Sequence, residues 1–131
     1  MKKHGILNAQ LAGLIASLGH KDTFMLGDAG MPIPQGVELV DLAVTANVPR
    51  FAEVLHAVLT EACIEGVTLA EEIQTQNLQL HQVLLSALEN VPFDYVPHEQ
   101  LKELSRGCRF AIRTGEFSPY PNVILRAGVA F

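Results

Sequence analysis

Short apolar runs alternate with amphipathic helical stripes along this chain, and that alternation limits the fold more than any other sequence feature. Leu11, Leu14, Ile15 and Leu18 have the i, i+3, i+4, i+7 spacing of one helix face. Similar stripes fill 51–62 and 80–88, and a short helix is expected over 97–105. Apolar runs typical of buried strands lie at 23–26, 37–44, 66–70, 93–96, 108–113 and 123–125. We predict an α/β fold: a single three-layer α/β/α domain over residues 1–131 with a central, mostly parallel or mixed sheet.

Capping residues indicate where the helices begin and end. Asn8 precedes the first stripe and is a favourable N-cap, and Gly19 follows it as a stop signal. Pro49 is expected in the first turn of the helix over 51–62, because proline is tolerated where the amide has no helical partner.

The chain is apolar and weakly charged for its size. Of its 131 residues 49% are hydrophobic and 18% charged, with 9 basic and 14 acidic residues and a net charge of −5. This composition excludes disorder, and the acidic balance disfavours nucleic acid and anionic membrane surfaces as partners. A folded monomer of this mass exposes about 6,800 Å². Either that surface is unusually apolar, or part of it is buried against other subunits.

No segment has the pattern of a secretory or membrane-spanning sequence. The first apolar stretch is interrupted by Asn8, Gln10 and Gly13, whereas a signal peptide needs a continuous apolar core. Cys63 and Cys108 match no metal-binding or redox spacing, and we expect two buried, reduced thiols. These features predict a cytoplasmic protein.

Polar residues at strand-to-loop junctions are the candidates for function, because ligands of open α/β sheets sit beyond the strand ends. His20 follows Gly19 and precedes an apolar run, and its imidazole can exchange protons near neutral pH. Asp28 lies between Gly27 and Gly30, which allow a backbone to approach a ligand closely. The alternatives are that His20 is simply exposed and that Asp28 only caps its own turn.

The long loop over 113–122 is a third candidate. Tyr120 offers a ring face and a hydroxyl, and Asn122 offers both a donor and an acceptor. That mixture suits a polyhydroxy ligand, although the loop could equally serve only to turn the chain.

Other motifs argue against metal and nucleotide chemistry. His98-Glu99 begins like a zinc helix, but Lys102 stands where the second histidine would be, so no metal is expected. The chain has no dinucleotide or phosphate-loop fingerprint. His56 and His81 lie off the apolar stripes and are expected to face solvent. The remaining polar residues can move protons between oxygens without a cofactor.

Five separated motifs resemble the sugar mutarotase family that contains D-ribose pyranases and L-fucose mutarotases. They are M-K-K-H-G-I-L-N at 1–8, G-H-x-D at 19–22, D-A-G-x-P-x-P at 28–34, H-E-Q-x-K at 98–102, and the ending from I-R-T-G-E-F-S-P-Y-x-N at 112–122 to G-V-x-F at 128–131. The resemblance covers the whole chain. The D-A-G-x-P-x-P and F-S-P-Y elements favour the ribose branch of that family.

The resemblance implies a cofactor-independent isomerase that interconverts the β-pyranose and β-furanose forms of D-ribose by acid–base ring opening and reclosure. It assigns proton donation to His20 as the catalytic residue. It assigns sugar binding to Asp28, His98, Lys102, Tyr120, Pro121 and Asn122. Whether Tyr120 or Asp28 shares the proton transfer stays open.

One position departs from the family pattern. Pro121 stands where the motif usually has a small residue such as alanine, and proline has no N–H. A sugar contact made through that amide would be lost here, whereas a contact through the carbonyl or through flanking side chains would be unchanged.

The family also forms ring-like homo-oligomers, so an octamer or decamer with sites at subunit interfaces is expected. In such a ring His20 is expected to reach the site of an adjacent subunit. Two other functions remain open at this point: an L-fucose-type mutarotase, and a non-catalytic sugar-binding accessory protein whose site Pro121 has damaged.

Overall fold

A computed structural model describes residues 1–131, which form six strands and five α-helices. The strands are β1 Thr23–Gly27, β2 Glu38–Asp41, β3 Ile64–Ala70, β4 Phe93–Val96, β5 Phe110–Arg113 and β6 Val123–Ala127. The helices are α1 Ala9–Ala16, α2 Phe51–Leu59, α3 Ile73–Gln76, α4 Leu78–Ala87 and α5 His98–Leu104, and a 3-10 turn follows at Ser105–Gly107. None of the helices is long and apolar enough to cross a membrane.

All six strands form one mixed sheet in the order β2-β5-β1-β6-β3-β4. The pairs β2–β5, β5–β1 and β3–β4 are parallel, and β6 is antiparallel to both β1 and β3. The first five strands therefore end at one edge of the sheet, and β6 begins there. We call it the carboxyl edge, and we call the opposite edge, where β1–β5 begin and β6 ends, the amino edge.

The two faces of the sheet bury different amounts of apolar surface. On one face α1, α2 and α4 pack over residues such as Phe24, Leu26 and Phe110, which form the larger core. On the other face Met25 belongs to a smaller cluster with Leu101 of α5. Successive side chains of β1 alternate between these clusters, as strand geometry requires. The predicted α/β class, with helices flanking a mixed central sheet, is confirmed.

The sequence predicts the start of α1 correctly but not its end. Asn8 Oδ1 accepts a hydrogen bond from the Leu11 amide at 2.9 Å, so the predicted N-cap is confirmed. The stop at Gly19 is wrong, because α1 ends at Ala16.

The placement of Pro49 inside a helix is also wrong. The helix α2 begins at Phe51 with Arg50 as its N-cap, so Pro49 precedes both. The Phe51 amide donates to the Glu116 carboxylate at 3.0 Å. The start of α2 is thus held by Glu53, which accepts from the Arg50 amide at 2.8 Å, and also by Glu116 far along the chain, which local propensity cannot indicate.

Large apolar side chains remain on the surface of this chain. Its accessible surface of 7045 Å² is close to the value expected for a compact monomer of this mass. The exposed large apolar residues include Leu7, Val44, Val48, Leu78, Leu104, Phe117, Val129 and Phe131. The small share of charged residues is therefore reflected in exposed apolar side chains on the surface of the single chain.

The two cysteines differ in their environment, and only one matches the expectation of a buried thiol. Cys63 is exposed, whereas Cys108 is buried and belongs to the smaller core cluster. Burial raises the pKa of the Cys108 thiol to about 11, because the thiolate would lie in an apolar environment.

We expect Cys63→Ser, which leaves only Cys108, to resist Ellman's reagent at about pH 8 while folded, since the thiolate is the reactive form. The same protein should react fully in denaturant. The matched Cys108→Ser variant keeps Cys63 and should react rapidly while folded. Fast labelling of folded Cys63→Ser would contradict the burial of Cys108.

Candidate functional site

The carboxyl edge of the sheet brings together most of the residues that the sequence singled out. Asp28 directly follows β1, and His98 follows β4 after a single proline. Tyr120 and Asn122 precede β6, which begins at this same edge because it runs in the opposite direction. Residues from three distant parts of the chain thus share one edge.

Asp28 and Asn122 are interlocked by two hydrogen bonds. The Asp28 amide donates to Asn122 Oδ1 at 2.9 Å, and Asn122 Nδ2 donates to Asp28 Oδ2 at 3.0 Å. Asn122 is only 2% exposed. The second carboxylate oxygen of Asp28 accepts from the Gly30 amide at 2.8 Å. The Asn122 side chain therefore orients the carboxylate of Asp28, and the turn closed by Gly30 supports it.

Gly27 makes this interlock possible. A Cβ at this position would lie 2.9 Å from Asn122 Oδ1 and 3.1 Å from Met31 Cβ, which is too close. The sequence suggested that this glycine allows a ligand to approach. In the structure it allows the buried amide of Asn122 to approach.

Tyr120 and His98 form a second pair. Their rings lie edge to face, with centroids 5.1 Å apart and an interplanar angle of 86°. Tyr120 has a φ of 63°, a left-handed conformation that costs a residue with a side chain about 1–3 kcal/mol and is found preferentially at functional sites. The His98 amide donates to the carboxylate of Glu72 at 3.0 Å, and His98 Nδ1 is buried without a hydrogen-bond partner.

Lys102 and Pro121 are placed differently from these two pairs. Lys102 lies one turn along α5, pairs with Glu99 at 2.9 Å, and lines a cleft of about 200 Å³ with Pro32 and Pro34. Pro121, which lies between Tyr120 and Asn122 in the sequence, is buried. A larger cleft of about 490 Å³ opens beside Asp28, and it is lined by Asp28, Ala29, Gly30, Glu116, Phe117, Ser118 and Pro119.

The loop that carries Tyr120 is held by residues that sequence reasoning missed. Glu116 is 2% exposed, and its carboxylate accepts from the Phe51 amide at 3.0 Å and from Ser118 Oγ at 2.9 Å. Asn77 Nδ2 donates to Ser118 Oγ at 2.9 Å and to the Pro119 carbonyl at 2.8 Å. Asn77 also caps α4 locally, but no local signal marks the role of Glu116 or of Asn77 in holding this loop, because those partners are distant in the chain.

His20 lies at the amino edge, apart from the residues described so far. It precedes β1, whereas Asp28 follows it, and the five residues of β1 span roughly 17 Å. Its exposed side chain contacts Glu65 instead, with 2.9 Å between His20 Nε2 and Glu65 Oε2. Within one chain, therefore, His20 is not brought together with Asp28 and Asn122.

The remaining candidate histidines have different surroundings. His56 is exposed on α2, as expected. The expectation that His81 faces solvent is wrong, because it is half-buried and its Nε2 lies 2.8 Å from the Tyr95 hydroxyl. No group of three or more His, Cys, Asp or Glu side chains is arranged to hold a metal ion.

The carboxyl edge can accept and donate hydrogen bonds to a polar ligand. Asp28 supplies an oriented acceptor, and Tyr120 and His98 supply a hydroxyl, a ring nitrogen and aromatic faces. That set can bind several hydroxyl groups at once. His20, the histidine that the sequence favoured for proton transfer, lies at the other edge.

Comparison with known proteins gives a match along the whole chain. The model of the RbsD / FucU transport protein family matches residues 1–130. D-ribose pyranases of Bacillus cytotoxicus and Bacillus cereus are 47% and 50% identical, and each alignment covers all of both chains.

Solved structures extend the comparison. The structure of Bacillus subtilis RbsD complexed with D-ribose is 41% identical, with full coverage of both chains and a TM-score of 0.96. The structure of the fucose mutarotase from Streptococcus pneumoniae in complex with L-fucose is 20% identical, covers 95% of each chain and has a TM-score of 0.81. At that identity the second likeness shows a common fold only.

We expect Asn122→Ala to destabilise the protein by about 1–3 kcal/mol, because it leaves the Asp28 amide and one carboxylate oxygen without their buried partner. Urea unfolding at matched protein concentration measures this difference. Asn90→Ala, at an exposed position, is the control and should change the free energy of unfolding by less than about 0.5 kcal/mol. Equal effects of the two substitutions would contradict the interlock.

Proposed function

This chain belongs to the RbsD / FucU transport protein family, and we propose that it interconverts the pyranose and furanose forms of D-ribose. The observation that carries the proposal is its full-length identity of 47–50% to D-ribose pyranases. The likeness to a relative complexed with D-ribose, at a TM-score of 0.96, supports ribose as the ligand. We also propose a cytoplasmic location, as the sequence predicts.

The reaction requires proton transfer and no change in the carbon skeleton. Ring opening needs a base that takes the proton of the anomeric hydroxyl and an acid that protonates the ring oxygen. Reclosure through a different hydroxyl reverses these two roles. A side chain that can act both as acid and as base serves in both directions, and for this reason, together with the family resemblance, we assign the proton donor to His20.

We propose that the carboxyl edge binds the sugar. The Asp28 carboxylate, held by Asn122 and the Gly30 amide, would accept hydrogen bonds from sugar hydroxyls. His98 and Tyr120 would contact the sugar beside it, and Lys102 would donate from α5. These roles of the side chains rest on their position at one edge and on the family resemblance.

Pro121 and Asn122 would contribute through the backbone in this proposal. Pro121 has no N–H to offer, so its carbonyl is its only polar group. The side-chain carboxamide of Asn122 is already hydrogen-bonded to Asp28. In this proposal, the missing N–H of Pro121 therefore removes no hydrogen-bond donor that the sugar contacts use.

Because His20 and Asp28 lie at opposite edges of one chain, we propose a site that two neighbouring subunits share. One imidazole cannot reach across the roughly 17 Å of β1, so His20 of one chain would act on sugar held at the carboxyl edge of a neighbour. We propose a ring-like homo-oligomer, an octamer or decamer, as the assembly. The exposed apolar side chains, Phe117 and Val44 among them, supply surface for such contacts.

We expect His20→Ala to abolish ring-form exchange while the fold stays intact, because the variant removes the proton donor and no core residue. Saturation-transfer NMR on D-ribose measures the exchange, and circular dichroism checks the fold. His56→Ala removes another exposed histidine and should exchange ribose at the wild-type rate. Unchanged exchange in His20→Ala would overturn the assignment.

The same NMR assay with a panel of sugars tests the function itself. We expect catalysed exchange with D-ribose and less with L-fucose. Faster exchange with L-fucose would indicate a fucose-type mutarotase. Binding of ribose without catalysed exchange would indicate an accessory sugar-binding protein, and either result would contradict the proposed function.

We expect inactive His20→Ala and Asp28→Asn chains to restore activity when they are co-assembled. Each chain supplies the half-site that the other lacks, so a random equal mixture should regain about a quarter of the wild-type sites, since each half is correct half the time. Co-expression followed by the NMR assay measures the recovery. No recovery in a mixed oligomer, verified by mass spectrometry, would contradict a shared site.

A further inference from the structure

A bulge near the start of β3 directs one carboxylate toward His20. Ile64 pairs with Ala127 and Gly66 pairs with Arg126 across β6, so Glu65 is an extra residue without an opposite partner. Bulges of this kind re-aim a side chain and are over-represented next to active sites. The backbone irregularity and the position of the Glu65 side chain are thus linked.

Glu65 connects His20 to a basic residue on the neighbouring strand. Its Oε2 lies 2.9 Å from His20 Nε2, and its Oε1 lies 3.2 Å from Arg126 Nε. The hydrogen bond from His20, with the charge of Arg126, holds the pKa of the Glu65 carboxyl below its usual value. An ionised carboxylate only accepts hydrogen bonds, so His20 Nε2 must carry a hydrogen and Nδ1 is the nitrogen left free.

Two glycines make room for this arrangement. A Cβ on Gly66 would lie 2.7 Å from Arg126 Nη2, so only glycine lets the guanidinium lie across β3 at this point. A Cβ on Gly128 would lie 3.1 Å from Glu65 Cβ. The two glycines therefore leave room for the Arg126 guanidinium and the Glu65 side chain, although the His20–Glu65 pair itself is solvent-exposed, with 49% and 31% of the two side chains accessible.

The backbone of His20 is held separately. Asp22 Oδ2 accepts from the Gly19 amide at 2.8 Å and from Arg109 Nη1 at 2.7 Å. Lys21 has a φ of 70°, which completes the tight turn. The turn fixes the main chain of His20, and Glu65 is the group that fixes its imidazole.

We propose that Glu65 is a positioning residue for His20: it holds the imidazole by Nε2 and leaves Nδ1 to exchange protons with the sugar. The inference rests on the proposed function, because it concerns the proton donor of that reaction. Glu65 does not contact the sugar in this arrangement. It restricts the ring to one orientation and one neutral tautomer, as outer-shell carboxylates do for histidines elsewhere.

The test is Glu65→Gln, which keeps the size of the side chain and removes its charge. We expect kcat for ribose exchange to fall about ten-fold or more, by analogy with the loss of carboxylate partners of metal-bound histidines, while KM changes less than about two-fold. An exposed ion pair with only a structural role would change stability slightly and leave kcat unchanged. Glu61→Gln, which alters the ion pair with Lys2, is the matched control and should keep full activity.

A second measurement does not depend on activity. Nitrogen-15 NMR of labelled histidine, with His20 assigned by its absence in His20→Ala, should show the Nε2–H tautomer in the wild type and a mixture in Glu65→Gln. The same tautomer mixture in both proteins, or unchanged kcat in Glu65→Gln, would overturn the inference.

Controls separate the inference from the function and from the fold. A loss of kcat that is matched by loss of the oligomer or by unfolding would also overturn it. Wild-type protein without ribose exchange would contradict the proposed function, whereas the tautomer comparison would still decide whether Glu65 orients His20.

Discussion

The reversed direction of β6 is the constraint on which the candidate site depends. Every other strand of the sheet points the same way, and β6 lies antiparallel between β1 and β3. A parallel strand in that place would begin at the amino edge, and Asn122 would then enter the sheet roughly 17 Å from Asp28. The reversal lets these two side chains interlock although 94 residues separate them in the chain.

The same strand also organises the opposite edge. It begins beside Asn122, which orients Asp28, and its last residue but one is Arg126, which pairs with Glu65 next to His20. Asp28 and His20, which belong to the two proposed half-sites, are therefore both linked to one short, centrally placed strand that pairs on both sides. A displacement of β6 along its neighbours would disturb the two half-sites together, whereas surface loops can vary without that consequence.

The sequence predicts those features that depend on neighbours along the chain. The strand over 93–96 matches β4 at both ends, and the cap at Asn8 forms as expected. Asp28 was identified because it directly follows a predicted strand, and the edge is the one expected. His98 was assigned to the site only through the family resemblance. The order and direction of the strands were left open as parallel or mixed, because hydrophobic periodicity carries no information about strand direction.

Features that depend on distant partners could not be predicted. Glu116 reads as an ordinary loop glutamate, yet its carboxylate is buried because the start of α2, 65 residues away, donates to it. The bulge at Glu65 is invisible in a strand pattern, since a bulge is defined by the opposite strand. The sequence patterns place His20 only before a strand, and its expected reach to an adjacent subunit came from the family resemblance. The topology adds that His20 and Asp28 lie at opposite edges of one chain.

The proposed sharing of a site between subunits would give the low charge of the chain a physical meaning. Contact between the carboxyl edge of one chain and the amino edge of the next is head-to-tail, and such contacts either close into rings or continue as filaments. Apolar residues are exposed near both edges: Phe117 and Val48 in loops at the carboxyl edge, and Phe131 beyond the end of β6. Burying them in the proposed contact would contribute about 25 cal/mol per Å². In the proposed assembly, a surface with more charge would weaken this contact, and separate chains would not bring His20 of one chain to Asp28 of another.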